Sequence, residues 1–201
     1  MKARLSSLWK KEESNVNIGV LCVQGAFLEH EKMLEKLGAD YTELRKKTDI
    51  KNLDGIILPG GESTVQGKLL RELDMFDEIK ELISNGIPTL ATCAGLILLA
   101  SSLSNDSNAY FQTLPVTVKR NAYGRQLGSF KTVAPLKGIG EIPMTFIRAP
   151  YIEEAAKPVD ILATVDEKIV AVRYKSQIGL SFHPELDEDS RLHQYFLNMI
   201  R

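Results

Sequence analysis

Two short apolar runs, with a further strand candidate after them, constrain this chain more than any other feature of it. Residues 18–23 and 55–58 lack the alternation of a half-exposed strand, which is the pattern of parallel strands buried on both faces, and 88–92 reads as a further short strand. Each run ends in a turn of small residues and is followed by a stretch with helical spacing. Gln24-Gly25 leads into 26–37, where Phe27, Leu34 and Leu37 are near helical spacing and Gly38 is a candidate C-cap. Pro59-Gly60-Gly61 leads into a helix with Ser63 or Thr64 as its cap and Val65, Leu69 and Leu73 on one face. A second helical pattern, Phe76, Ile79, Leu82 and Ile83, stops at Asn85-Gly86. Cys93 opens the stretch 94–102, which reads as a buried helix. With 41–45 as a further strand, strand and helix alternate, and that alternation predicts a parallel sheet with helices on both faces.

The second half changes character. Residues 114–119, 126–133, 144–147, 161–165, 169–174 and 178–182 are six short strand candidates, separated by turns such as Ala122-Tyr123-Gly124 and 165–168. They predict an antiparallel extension of the sheet. A helix over about 188–200, with Leu192, Phe196 and Met199 on one face, closes the chain. The expectation is one α/β domain over 17–201. The basic, polar stretch 1–16 is read as a flexible leader or tag.

Composition narrows the function. The 201 residues carry 25 Lys+Arg against 26 Asp+Glu, a net charge of -1, so no electrostatic footprint points to nucleic acid or an anionic membrane. The apolar run around 96–100 is far short of the roughly 20 residues that cross a bilayer, and a cytoplasmic protein is expected. Two cysteines are too few for a disulfide framework. Three histidines in no ligand cluster argue against a zinc site.

Three turns could carry chemistry, each placed after a predicted strand. Open α/β folds gather ligand sites at such strand ends. Cys93, in Ala91-Thr92-Cys93-Ala94-Gly95, sits at a strand-to-helix turn with small neighbours, the setting of an exposed nucleophile at a helix N-terminus. Taken alone it reads at least as well as a packing cysteine. In His183-Pro184-Glu185 the imidazole is a candidate base, and a carboxylate two residues on can fix its tautomer. Taken alone this is equally a surface turn. Pro59-Gly60-Gly61-Glu62-Ser63 offers backbone amides to an oxyanion, or is a structural or phosphate-binding turn, although it is neither a Walker loop nor a dinucleotide fingerprint. The combination is more specific than its parts. Oxyanion glycines, cysteine and His/Glu occur in that order, with 32 residues from Gly61 to Cys93 and 90 from Cys93 to His183.

These strings resemble the class I, triad-type glutamine amidotransferases. Arg120-Asn121-Ala122-Tyr123-Gly124-Arg125-Gln126 and Phe146-Ile147-Arg148-Ala149-Pro150 narrow the resemblance to the vitamin B6 branch, the glutaminase subunits of pyridoxal 5′-phosphate synthase. It covers about residues 17–200. It implies a three-layer, flavodoxin-like fold with a mostly parallel central sheet and an antiparallel extension. It implies hydrolysis of L-glutamine by Cys93, His183 and Glu185, with Gly61 and Ala94 at the oxyanion hole. Gly60, Gly61, Glu62, Arg120, Ile147 and Arg148 would bind glutamine, and Gln24 would lie near the oxyanion hole and the partner interface. The implied partner is a ring-forming pyridoxal 5′-phosphate synthase subunit that receives the ammonia, and the resemblance implies no cofactor on this chain itself. Lys119, where an acidic residue is common, the stretch 111–114 and Cys22 depart from the branch pattern. The other readings are a glutaminase subunit of another class I amidotransferase, a cysteine hydrolase of similar build, and a non-enzymatic binding module.

Some residues are expected to be structural. Cys22 reads as a small buried hydrophobe, His30 as a solvated or half-buried side chain, and His193 as part of the last helix. Glycine turns move readily, so the Gly60-Gly61 turn is expected to complete only when a partner docks, leaving the free chain nearly inactive. Activity is expected to fall in mild acid.

Overall fold

The computed structural model describes residues 16–121 and 128–200. The leader expected at 1–16, except Val16, and the turn at 122–124 lie outside the described residues, as do the first two positions of the strand expected at 126–133.

The first half follows the alternating pattern. Strand β1 (Asn17–Leu21) is followed by helix α1 (Phe27–Lys36), β2 (Asp40–Leu44), β3 (Gly55–Leu58), α2 (Ser63–Glu72), α3 (Phe76–Ser84), β4 (Thr89–Thr92) and α4 (Ala94–Leu99). Gly38 closes α1 as expected, at φ 68° with its amide on the Glu35 carbonyl. The helix expected over 94–102 stops at Leu99, and Ala100–Leu103 forms strand β5. Strands β6 (Leu114–Lys119), β7 (Ser129–Leu136), β8 (Gly140–Ile147), β9 (Tyr151–Ala155), β10 (Asp160–Val165), β11 (Lys168–Tyr174) and β12 (Gln177–Leu180) follow, and α5 (Arg191–Leu197) ends the described chain.

Among the described residues ten strands form one sheet in the order β2-β1-β3-β4-β12-β11-β9-β6-β5, with β10 alongside β11. The run from β2 to β12 is parallel, and β11, β9 and β10 add the antiparallel extension. β5 and β6 are parallel to each other at the far edge. β7 and β8 do not join this sheet but pair antiparallel as a separate ribbon, Ser129 opposite Ile147 through Leu136 opposite Gly140.

Two apolar layers enclose the sheet because successive side chains of a buried strand point to opposite faces. Ile57 joins Ile18, Val20, Leu34, Leu90, Phe182 and Phe196 beneath α1, α5 and the ribbon. Its neighbours Ile56 and Leu58 join Leu70, Ile79, Ile83, Ala91 and Leu96 beneath α2, α3 and α4. The result is three layers, helix, sheet, helix.

The face of α2 differs from expectation. Val65 and Leu73 are exposed, and the buried residues are Ser63, Gln66, Gly67 and Leu70. The reason is close packing: a Cβ on Gly67 would lie 2.2 Å from the Tyr110 ring, so Tyr110 occupies the space above that glycine. Gln66 is buried because its amide spans two turns, donating to the carbonyls of Gln24 (2.9 Å) and Pro59 (3.1 Å).

Gly95 sets how closely α4 approaches β3. A Cβ there would stand 2.1 Å from the Leu58 carbonyl oxygen, a backbone atom that cannot rotate away. Gly95→Ala is expected to cost about 3 kcal/mol or more, since overpacking against rigid backbone exceeds the usual core penalty. Gly128→Ala, where nothing lies within 4 Å of the new Cβ, is expected to stay within about 0.5 kcal/mol of the native chain. Urea denaturation of the two variants checks the difference.

Candidate active site

Three strand ends meet at one edge of the sheet. Leu58 of β3 lies opposite Ala91 of β4, and Thr92 of β4 lies opposite Leu180 of β12. The chain leaves these ends as Pro59-Gly60-Gly61, Cys93 and Ser181-Phe182-His183, the three turns singled out in the sequence. Cys93 extends the β4–β12 ladder by one bond, donating its amide to the Leu180 carbonyl at 2.8 Å. Its backbone then turns sharply, at φ 48° and ψ -100°, and Ala94 begins α4. A non-glycine residue there stores on the order of 1–3 kcal/mol of strain, and such strain clusters at functional sites. Cys93 is 7% exposed.

His183 and Glu185 stand across from it. The imidazole Nδ1 is 2.8 Å from Glu185 Oε1, and Cys93 hydrogen-bonds the same ring. Two further contacts fix the turn that carries them. The His183 amide donates to the Thr145 carbonyl of β8 at 2.8 Å, and the Thr145 hydroxyl donates to Asp187 at 3.1 Å. Burial opposes a charge on His183, but hydrogen bonds with Cys93 and Glu185 outweigh it and raise the pKa to about 10. Glu185 is 4% exposed; burial raises its carboxyl, and the His183 hydrogen bond offsets part of that rise.

The glycine turn closes the third side. The Gly60 amide donates to Thr92 Oγ1 at 2.9 Å, and its carbonyl accepts from the Ala26 amide at 3.0 Å. A Cβ on Gly60 would lie 2.2 Å from the His183 ring, so the base rests against bare backbone. Gln24 Oε1 accepts the Glu62 amide at 2.8 Å, tying the end of the first strand to the same turn.

In front of Cys93 is a cavity of about 160 Å³. Gln24, Gly61, Glu62, Arg120, Ile147 and Arg148 line it together with Cys93 and His183. Gly60 and Glu185 stand behind the His183 ring, and Ala94 is buried beneath. Every site residue expected from the sequence is therefore at this cavity or in contact with its wall. Arg120 is ion-paired with Asp106 and donates to Thr64 Oγ1 at 3.3 Å, while its buried Nε has no partner among the described residues. Lys119 forms an ion pair with Glu153 at 3.4 Å. Arg148, held at φ 42°, brings a second cation to the cavity. Among the described residues no group of three or more His, Cys, Asp or Glu side chains is arranged to hold a metal ion.

Sequence reading missed several contributors. The sequence marks Thr92 only as the end of a strand, yet its hydroxyl contacts Gly60, Glu185 and His30. His30 and His193 are fully buried and touch each other, against the expectation that His30 is solvated or half-buried. Asp106, which holds Arg120, lies in a polar loop that has no signal of its own. Cys22 is buried as expected, with its thiol donating to Glu31 at 3.2 Å.

Comparison with known proteins places the chain. Residues 20–201 match the SNO glutamine amidotransferase family. A curated protein of Desulfitobacterium hafniense named pyridoxal 5′-phosphate synthase subunit PdxT is 63% identical over 186 residues, covering 92% of this chain and 94% of the relative. The protein of the same name from Haemophilus influenzae is 53% identical over 190 residues, covering 92% and 99%. A solved structure described as a glutamine amidotransferase superposes with a TM-score of 0.87 at 40% identity, covering 91% of this chain and 98% of that one.

The raised pKa of His183 has a signed consequence for stability. Its contribution is complete below the unfolded value of 6.5 and is lost as pH rises toward about 10. The stability gap between the native chain and His183→Gln is therefore expected to be level in mild acid. It should narrow steadily between about pH 7 and pH 10, as urea denaturation at each pH will show.

Proposed function

Because the chain belongs to the SNO glutamine amidotransferase family, we propose that it hydrolyses L-glutamine to L-glutamate and ammonia as the glutaminase subunit of a pyridoxal 5′-phosphate synthase. The curated relatives at 63% and 53% identity carry that synthase's name. The observation that carries the chemistry is the pairing of His183 with Glu185 at 2.8 Å and with Cys93 on its strained turn.

In this reading Cys93 Sγ, its proton held by His183, attacks the side-chain amide carbon. The amide oxygen becomes an oxyanion facing the amides of Gly61 and Ala94. His183 returns the proton to the leaving nitrogen, and ammonia departs as the C–N bond breaks and a thioester remains. Water, deprotonated by His183, then splits the thioester to glutamate and restores the thiol. Glu185 holds the ring and balances its positive charge in both halves. At the mouth, Arg120 and Arg148 suit the substrate carboxylate and Glu62 suits its ammonium. A small cavity rimmed by charges of both signs suits a free amino acid better than a peptide.

Ammonia would pass to a ring-forming synthase subunit. Gln24, beside the glycine turn, would sense that partner. In the free chain the Gly60 carbonyl is held by Ala26 and the Glu62 amide by Gln24. Docking would have to exchange these bonds to redirect the turn, which gives the gating expectation a physical form. Residues 17–201 would act as one domain. No helix among the described residues is long and apolar enough to cross a membrane, and the chain would work in the cytoplasm.

Glutamate release from glutamine, measured alone and with a ring-forming synthase subunit, tests this. Turnover is expected only in the complex, and Cys93→Ala should abolish it while leaving the complex intact. Equal turnover with and without partner would remove the gating. An unchanged rate in Cys93→Ala would remove the nucleophile assignment.

A further inference from the structure

Behind the triad the fold buries two imidazoles that the proposed mechanism does not use. His30 on α1 and His193 on α5 are both 0% exposed, and His30 Nδ1 lies 2.9 Å from His193 Nε2. The other nitrogen of His30, Nε2, is 3.3 Å from Thr92 Oγ1 and 3.5 Å from Glu185 Oε2. Thr92 Oγ1 also receives the Gly60 amide and stands 3.5 Å from Glu185 Oε1. Glu185 Oε2 is buried without a hydrogen bond of its own among the described residues. His30 is thus the ring that faces the free oxygen of the carboxylate supporting His183.

The direction of these contacts follows from proton counting. Burial holds both rings neutral; it lowers His30 well below its ordinary value and His193 to about 4. Each ring then carries one proton. If His30 carried it on Nδ1, its Nε2 lone pair would face the Glu185 carboxylate, and His193 would be left with a buried Nδ1–H that has no acceptor. With the proton on Nε2, His30 donates toward Thr92 and Glu185, and its Nδ1 accepts the Nε2–H of His193. The remaining orphan is an acceptor, His193 Nδ1, which is the less costly kind to bury.

We propose that His30, held by His193, is a positioning residue for the triad, presenting its Nε2–H to Glu185 and Thr92 so that the carboxylate stays ionised and locked against His183. The inference rests on the glutaminase reading of the site. His183 becomes positive whenever it holds the Cys93 proton, and that charge is stabilised only while Glu185 is an anion. A buried carboxylate with one oxygen unsupported protonates readily. At 3.5 Å His30 turns the positive end of its Nε2–H dipole toward that oxygen without a formed hydrogen bond, and this keeps the pair poised. The titratable groups around Glu185 are His183 on its own turn, Cys93 at the head of α4 and His30 on α1, with His193 on α5 behind His30.

The test uses the full chain in complex with the synthase subunit. His30→Leu is expected to lower kcat for glutamine about 10- to 100-fold, the usual loss on removing a supporting partner of a reactive group, with KM within about twofold. Loss of the donor lets Glu185 protonate, weakens the charge balance on His183 and delays formation of the thiolate. The pH midpoint for alkylation of Cys93 by iodoacetamide should therefore rise by about one unit. In His30→Gln a side-chain amide can still donate from α1, and most of the rate should return. A merely structural role would lower stability without moving the midpoint. Nitrogen-15 NMR of the native chain has only three histidines to assign, and it should find the His30 and His193 protons on Nε2. A folded His30→Leu chain with native kcat and an unmoved midpoint would overturn the proposal. So would a proton on His30 Nδ1, a result that needs no variant to fold. If the native complex releases no glutamate, the glutaminase reading fails, while the alkylation midpoint and the tautomers still decide the positioning role.

Discussion

Parallel strands deliver their carboxyl ends to a common edge, and here the register of β3, β4 and β12 decides which residues share that edge. Leu58 opposite Ala91 and Thr92 opposite Leu180 bring three turns from distant parts of the chain within reach of one thiol. A slip of one residue in any of these pairings would turn its strand end toward the opposite layer. Packing makes such a slip costly. Ile57 and its neighbours Ile56 and Leu58 fill opposite layers, and reversing them would empty both. The apolar strands thus specify the polar site without contributing a reactive atom.

The site concentrates unfavourable terms that the surroundings offset. Cys93 holds a strained backbone, and it does so between a ladder bond to Leu180 and the close approach of Gly95 to Leu58. Glu185 and His183 are buried ionisable groups, a costly arrangement unless partners surround them. Thr92 is the centre of that compensation, since one hydroxyl meets the glycine turn, the carboxylate and His30. Asp106 acts similarly at the mouth by holding the Arg120 guanidinium in place before any ligand arrives.

Much of this was legible in the sequence, for reasons that differ by element. The buried strands of the first half announce themselves because both faces are apolar; the turns at Gly60 and Cys93 follow at the ends of first-half strands, and the turn at His183 follows the apolar strand at 178–182. Strand β9 (Tyr151–Ala155) was missed because it carries two glutamates, and β5 because its serines follow directly on an apolar helix. Pairing with neighbours, not side-chain pattern, makes them strands. The buried face of α2 was misread because Gly67 and Gln66 face inward to meet Tyr110 and two backbone carbonyls, contacts no periodicity encodes. The His30–His193 pair was invisible for a similar reason. Its members lie 163 residues apart, and only the packing of α1 and α5 over the same face brings them together.

The ribbon of β7 and β8 stands outside the main sheet, and among the described residues backbone bonds from Lys137 to Leu162 and from His183 to Thr145 tie it there. Its inner face packs Leu136, Ile142, Met144 and Phe146 into the same apolar layer as Phe182, the residue before His183. The ribbon therefore steadies the His183 turn by side-chain packing and one backbone bond rather than by the main sheet's ladder. The proposed base thus leans on a part of the fold that the proposed nucleophile does not.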